Sequence, residues 1–336
     1  MTNTTGICPP EDDKLEPQLE DKPDKKILDF HFLWQFGVFV ALIVLCLIFT
    51  ILEPKFVSSR NLLNIVLQSS TNAVIAIGMT FVIASGGIDL SVGSVLAFTG
   101  VIVAAMMKQG VSVPLAIIGG LALGGICGMM MGILIAKANI PPFIATLGGL
   151  SVFRGLALLF TDGRPVIGTP DAFRSFGAGE WLGIPTPWIL AIVAALLGYF
   201  ILTRTKFGES VIAIGGNEEA SHLSGLNISF TKTLIYGISG VTAALGGIIL
   251  TARLGSAEPI AGAGFELNAI AAVVMGGSSL MGGEGRILGT IIGSLIIGAL
   301  RNGLTILNVP TFTQQVAIGI VVILAVLGDQ LAKKRA

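Results

Sequence analysis

Residues 112–136, SVPLAIIGGLALGGICGMMMGILIA, carry no charge and run for 25 positions. A helix of that length covers the roughly 30 Å hydrocarbon core of a bilayer. Gly120, Gly124, Gly128 and Gly132 recur at every fourth position of the stretch and so share one helix face. In lipid, helices associate through close backbone approach and van der Waals contact, and small residues at this spacing permit both. The stretch therefore reads as a transmembrane helix with one smooth face. Gly285, Gly289 and Gly293 repeat the pattern, and Ser239, Ala243 and Gly247 form a further small-residue stripe. Two readings of these faces stand at this point: permanent tight packing, or surfaces along which helices slide during gating.

Working outward, similar apolar runs follow one another along the chain. They lie near 34–52, 62–84, 90–107, 112–136, 143–160, 187–203, 231–250, 266–280, 287–303 and 312–328. The expected fold is an all-α polytopic membrane protein of about ten transmembrane helices. Composition agrees, with 53% of the 336 residues hydrophobic and only 12% charged, about half the one-quarter usual in soluble domains. Mean hydropathy is +0.88. Lipid must cover most of such a surface. Twenty basic and twenty acidic residues leave no net charge, which argues against nucleic-acid binding.

Twelve of the forty charges fall in residues 1–29. This opening segment is polar, net acidic and contains prolines, unlike a signal peptide. Residues 1–30 are expected to be a disordered acidic cytoplasmic tail. Lys25 and Lys26 beside the first run favour an inside N-terminus, and an even number of spans then places Lys333, Lys334 and Arg335 inside as well. The chain thus divides into the tail, a transmembrane domain at 31–330 and a basic cytoplasmic C-terminus at 331–336. Trp34 and Trp188 fall at span ends, where indoles anchor at the interface. The connection 161–186 lies outside in this topology, and 204–230 lies inside.

Several function classes are disfavoured. No lysine follows a glycine, so the chain has no GxxxxGK[ST] phosphate loop. Ion-coupled carriers bury carboxylates or histidines in their spans. Here Arg154 is the clearest ionisable group inside a run, while Asp89, Glu266 and Asp329 fall at ends. Cys46 and Cys127 lie in apolar runs, and His31 and His222 each stand alone. No disulfide framework or metal site follows from such spacing. No nucleophile–base pair or paired-carboxylate constellation indicates an enzyme, a cofactor site or a metal site.

The inside connection holds a local signal. Asn217 is a good N-cap, Glu218 and Glu219 place negative charge on the first turn, and Gly225 is a natural terminator. A seven-residue helix over 218–224 is marginal alone in water and should dock on its own spans or in a groove of a partner. An internal echo is also present. Gly86-Gly87-Ile88-Asp89-Leu90-Ser91-Val92-Gly93 and Gly276-Gly277-Ser278-Ser279-Leu280-Met281-Gly282-Gly283 share GGxxLxxG, offset by 190. Transporters often carry internal symmetry of this kind.

These residues resemble the membrane permease of bacterial ABC sugar importers of the ribose/xylose/arabinose class. The resemblance runs from about residue 34 to 330 and is carried by GMTFVIASGGIDLSVGS (78–94), PPFIATLGGLSVFRG (141–155), AIGGNEEASHLSGL (213–226), FELNAIAAVVMGGSSLMGGEGRILGT (265–290) and NGLTILNV (302–309). The segment before residue 30 lies outside the family pattern. The resemblance implies a type II ABC-importer-like permease with no ATPase of its own, working as a homodimer in the bacterial inner membrane. A cytosolic ABC ATPase and an extracytoplasmic sugar-binding protein would be its partners. The family's coupling element maps onto Gly216, Asn217, Glu218, Glu219, Ala220, His222, Gly225 and Leu226, where the short capped helix is expected. A pentose such as ribose is the expected cargo, with an ion-coupled or facilitative secondary carrier as the alternative.

A sugar is neutral and polar, so its path needs amide, hydroxyl or backbone partners. Gln68, Ser69, Ser70, Thr71 and Asn72 form a polar run within a span, costly in lipid unless it faces protein or water. Gln68, Ser70, Asn72, Arg154, Asn268 and Ser278 are the candidate path residues. Interhelical hydrogen bonding is the competing reading for them. For Arg154 a carbonyl-binding structural role comes first, and Asp89 reads as a cap for a helix starting at Leu90.

Overall fold

The apolar runs fold as helices, as backbone satisfaction in lipid requires. The computed structural model describes the backbone of residues 25–335 and the side chains of 37–324 and Leu327. The helices are α1 (Lys25–Leu52), α2 (Ser59–Ala84), α3 (Val92–Lys108), α4 (Val113–Lys137), α5 (Pro142–Thr161), α6 (Asp171–Ala178) and α7 (Thr186–Arg204), then α8 (Lys206–Gly216), α9 (Glu218–Leu223), α10 (Ile228–Leu254), α11 (Phe265–Met275), α12 (Ile287–Ile306) and α13 (Thr311–Arg335). Among the described residues, α2, α4, α5, α7, α10 and α12 are long and apolar enough to cross a membrane. Shorter apolar helical segments occur at Gly37–Leu52, Val92–Lys108, Phe265–Met275 and Thr311–Leu324. The chain is an all-α polytopic membrane protein.

Residues 1–24 of the expected acidic tail lie outside the described residues, and α1 already begins at Lys25. The side chains of His31, Trp34 and Asp329, and those of the basic C-terminus, also lie outside them. Trp188 lies in the first turn of α7. It is partly buried against a cluster of Ala73, Val74, Ala191 and Ile249.

Burial separates an inner pair of helices from an outer set. From Ser69 to Ala84 every residue of α2 is buried, and α10 packs along α2, α3 and α4. By contrast α4, α5 and α7 expose large apolar side chains such as Ile118, Leu159, Leu196 and Leu197. An exposed leucine is favourable where the surroundings are hydrocarbon.

The glycine face of α4 lies against α10. A β-carbon on Gly120 would run into Val103 of α3 and press on Ile248. One on Gly124 would meet Ala244 and the Gly240 carbonyl, and one on Gly128 the Tyr236 carbonyl. At Gly132 it would stand 2.7 Å from the Thr233 Cα. The second stripe works alike, with Gly289 and Gly293 seated on Gly276 and Ala272 at the end of α11. Only the missing side chain allows these backbones to touch.

Two boundaries differ from expectation. The run at 266–280 ends as a helix at Met275, because the chain turns through Gly276 and Gly277, the latter at φ +86°. Eleven residues make α11 only about 16 Å long. Likewise α3 starts at Val92, after Leu90, so Asp89 is not its cap. The Asp89 carboxylate instead accepts from the Ser91 N–H (2.9 Å), the Ser91 hydroxyl (2.6 Å) and the Ser239 hydroxyl of α10 (2.7 Å). It closes a turn and ties that turn to the central helix.

The connection 161–186 is structured. Strands β1 (Val166–Ile167), β2 (Glu180–Trp181), β3 (Ile184–Pro185) and β4 (Ser256–Ala257) form two antiparallel pairs, β1 with β4 and β2 with β3. Phe173 of α6 is fully buried, and Gly177 lets α6 rest on the α10 backbone at Ala252 and Arg253. This end of α10 is thereby covered.

Candidate functional site: a polar cavity and a short capped helix

The polar run of α2 meets α11 and α12 around a cavity of about 310 Å³. Leu67, Gln68, Ser69 and Asn72 come from α2, Phe265 and Asn268 from α11, and Ser294, Ile297, Gly298 and Arg301 from α12. Arg253 at the end of α10 completes the wall. Gly298 is required here, since a β-carbon would run into the Ser69 hydroxyl.

Several polar groups at this place have no partner in the protein. Both amide atoms of Asn72 are buried and unbonded, as is the hydroxyl of Ser294. Leaving such groups unsatisfied costs roughly 1–3 kcal/mol each, so they favour a ligand that offers both donors and acceptors. Hydroxyls do. Gln68, Asn72 and Asn268 are thus brought together from two helices nearly two hundred residues apart.

The other path candidates lie elsewhere. Ser70 donates to the Leu67 carbonyl at 2.6 Å and is outside the cavity wall. Ser278 accepts from the Arg286 N–H at 3.0 Å, in the turn between α11 and α12. Arg154 donates to the carbonyls of Pro259 (2.9 Å), Ala261 (2.6 Å) and Gly93 (3.4 Å). It pairs backbone groups of the non-helical segment before α11, which lacks a helix to satisfy them. Arg154→Leu is expected to cost about 3 kcal/mol through these orphaned carbonyls, read as a lowered unfolding midpoint of the detergent-solubilised chain. An unchanged midpoint would show the guanidinium to be dispensable.

Sequence reading missed Arg253 and Arg301. Each sits near the end of a long helix, where a basic residue is unremarkable, and only packing turns both toward one cavity. Arg253 is held by a 3.4 Å bond to the Leu67 carbonyl.

The second region is the 204–230 connection. Asn217 is extended (φ −158°), and its side chain accepts from the Ala220 N–H at 2.9 Å. Helix α9 follows, one residue shorter than expected, and Gly225 turns the chain at φ +84°. Glu218 pairs with Lys232 of α10 at 2.6 Å, while Glu219 and His222 are exposed. Glu218, Glu219, His222, Gly225 and Leu226 line a groove of about 820 Å³ that reaches Ala136 at the end of α4 and Asn139 just beyond it. Gly216, Asn217 and Ala220 are exposed on the approach to it. Leu223 and Phe230 are largely exposed as well, at 82% and 61%. A short helix with acidic and apolar groups on its free side offers both charge and contact area.

The two echo loops meet beside this helix. The Gly283 N–H donates to the Ala84 carbonyl at 2.9 Å, joining the second loop to the end of α2. Asp89 and Ser279 occupy equivalent places in the two loops. Each accepts from the N–H two residues on, Ser91 at 2.9 Å and Met281 at 3.2 Å, so the echo extends to the turn itself. Gly215, at the end of α8, is wedged between them. A β-carbon there would collide with the Ala84 carbonyl and stand 2.5 Å from the Gly283 nitrogen. Three residues later the chain enters α9.

Residues 61–326 match the family described as the branched-chain amino acid transport system permease component. The ribose import permease protein of Bacillus subtilis is 49% identical over 88% of this chain and 92% of its own length. That of Escherichia coli K12 is 47% identical, covering 86% and 92%. The L-arabinose transport system permease protein of the same strain is 37% identical, covering 92% and 95%. No solved structure matches this chain significantly. With the match extending over nearly all of the helical region and over almost the whole length of these relatives, the chain belongs to this permease family, as a sugar ABC importer subunit that leaves ATP hydrolysis to a separate partner.

Proposed function

We propose that the chain carries ribose across the bacterial inner membrane as one half of a homodimeric permease. A substrate-binding protein delivers from outside, and an ABC ATPase acts from the cytoplasm. Both termini are cytoplasmic, and ten segments cross the bilayer. In the segment containing α11, the non-helical stretch 258–264 completes the crossing beside α3, its carbonyls paired by Arg154. Irregular backbone is tolerated at membrane depth where protein covers it, and binding sites of transporters commonly lie at such interrupted helices.

The observation that carries the reading is the cavity. It presents unpartnered amide and hydroxyl groups from α2 and α12 beside Asn268 of α11, chemistry suited to a neutral polyol. The choice of ribose rests on the names of relatives at 47–49% identity. Gly216, Asn217, Glu218, Glu219, Ala220, His222, Gly225 and Leu226 form the surface on which the ATPase bears. Closure of the ATPase on that surface favours one arrangement of the spans over the other, as a differential contact must.

Reconstitution tests this. Proteoliposomes holding the chain with both partners should accumulate ribose on addition of ATP, and the chain alone should not. Uphill, gradient-driven uptake by the chain alone would establish a secondary carrier instead. Glu219→Arg reverses an exposed charge without touching a hydrogen bond. It is expected to weaken ATPase association at least about fivefold, of the order set by one interfacial charge pair, with insertion of the chain unchanged. Wild-type association and uptake in that variant would remove α9 from the mechanism.

A further inference from the structure

Arg253 and Arg301 reach one cavity from different helices, α10 and α12. Among the described residues no aspartate or glutamate lines that cavity. The nearest acid in sequence to its wall, Glu266, is turned away. One of its oxygens accepts from the Gly264 N–H at 3.1 Å, and the other lies where a β-carbon on Gly93 of α3 would be. Phe265, the first residue of α11, is part of the wall. Asn72 and Ser294 there have no partner in the protein. The lining therefore offers neutral hydrogen-bonding groups beside two guanidiniums, with no carboxylate on the wall.

A neutral cargo has no net charge for such groups to attract, and two half-buried guanidiniums cost some desolvation. Their presence needs a reason that neutral hydrogen bonding does not supply. Resting on the reading of this cavity as the path, we propose that Arg253 and Arg301 are its cation barrier. They repel hydrated protons, sodium, potassium and protonated amino sugars, while neutral polyols pass. A fixed guanidinium or the positive end of a half-helix excludes cations and protons from a polar pore, and Arg keeps its charge at any physiological pH. The low polarisability of the surrounding protein lengthens the reach of both charges.

The test uses the complete transporter, with ATPase and binding protein, in liposomes loaded with a pH-sensitive dye and held at an inside-negative potassium diffusion potential. Proton entry is measured during ATP-driven ribose uptake. The doubly substituted R253Q/R301Q is expected to raise proton entry at least tenfold over wild type, R301Q alone about threefold, and R253K/R301K not at all. Unchanged proton entry in assembled glutamine variants overturns the barrier, whether or not ribose uptake survives. Proton entry in the lysine variant as high as in R253Q/R301Q overturns it too, since packing rather than charge would then be responsible. R301Q, which leaves the Arg253–Leu67 bond in place, serves if the double substitution does not assemble. Failure of the path reading shows separately, as wild-type ribose uptake in both N72A and N268A.

Discussion

Gly215→Ala is expected to leave ATP hydrolysis by the assembled complex running while ribose uptake falls at least tenfold. The added methyl has no room. It would overlap the Ala84 carbonyl and approach the Gly283 nitrogen, two groups already bonded to each other at 2.9 Å. Gly282 closes the same contact from the other side, since a β-carbon added to it would stand 2.6 Å from the Gly215 carbonyl. Overpacking of this kind typically costs 1–3 kcal/mol and is relieved by backbone displacement. Here the displaced parts are the two echo loops, which end α2 and join α11 to α12, the helices that form most of the cavity. Helix α9 is untouched and can still receive the ATPase. Gly148→Ala is the control, because its β-carbon would meet no atom of the chain within 4 Å. Hydrolysis and uptake falling together would show that Gly215 supports folding only, and wild-type uptake would show that the wedge is compliant.

Gly128→Val is expected to have the largest effect on stability. Helices α4 and α10 touch backbone to backbone, and at Gly128 even one methyl would overlap the Tyr236 carbonyl. Valine adds two more carbons at the same point. The helices must separate along their length, and contacts at Gly120, Gly124 and Gly132 weaken together. A cost of about 3 kcal/mol or more follows, at the upper end for overpacking. Membrane abundance and the unfolding midpoint of the solubilised protein should both drop, with Gly155→Ala on α5 unaffected because no atom of the chain lies within 4 Å of its β-carbon position. A midpoint equal to wild type would mean that the α4 face is loose enough to slide.

Both predictions concern contacts that the amino-acid pattern locates only in part. Four-residue spacing marks the smooth face of α4, but not that its neighbour is α10. The echo is visible as GGxxLxxG, and its meaning as two touching turns is not, because nothing local says that residues 84 and 283 share a hydrogen bond. Asp89 shows the same limit. Its place before an apolar run reads as a cap, whereas its second oxygen is spent on Ser239, 150 positions away.

The helical class, the positions of the apolar segments and the capped turn at 217–225 follow from the chain read residue by residue. Each depends on interactions within a few positions: backbone pairing, a side chain on the next turn's N–H, or a run of carbons that water rejects. Which polar side chains face one another is of a different kind. Gln68, Asn72, Asn268 and Ser294 converge, and Ser70, Arg154 and Ser278 do not, because helix rotation and interruption at Gly276 and Gly277 set the direction of every side chain at once. Arg253 and Arg301 are the sharpest case. Two arginines 48 residues apart have no local reason to be partners, and only the packing of α10 and α12 against α2 gives them a common cavity.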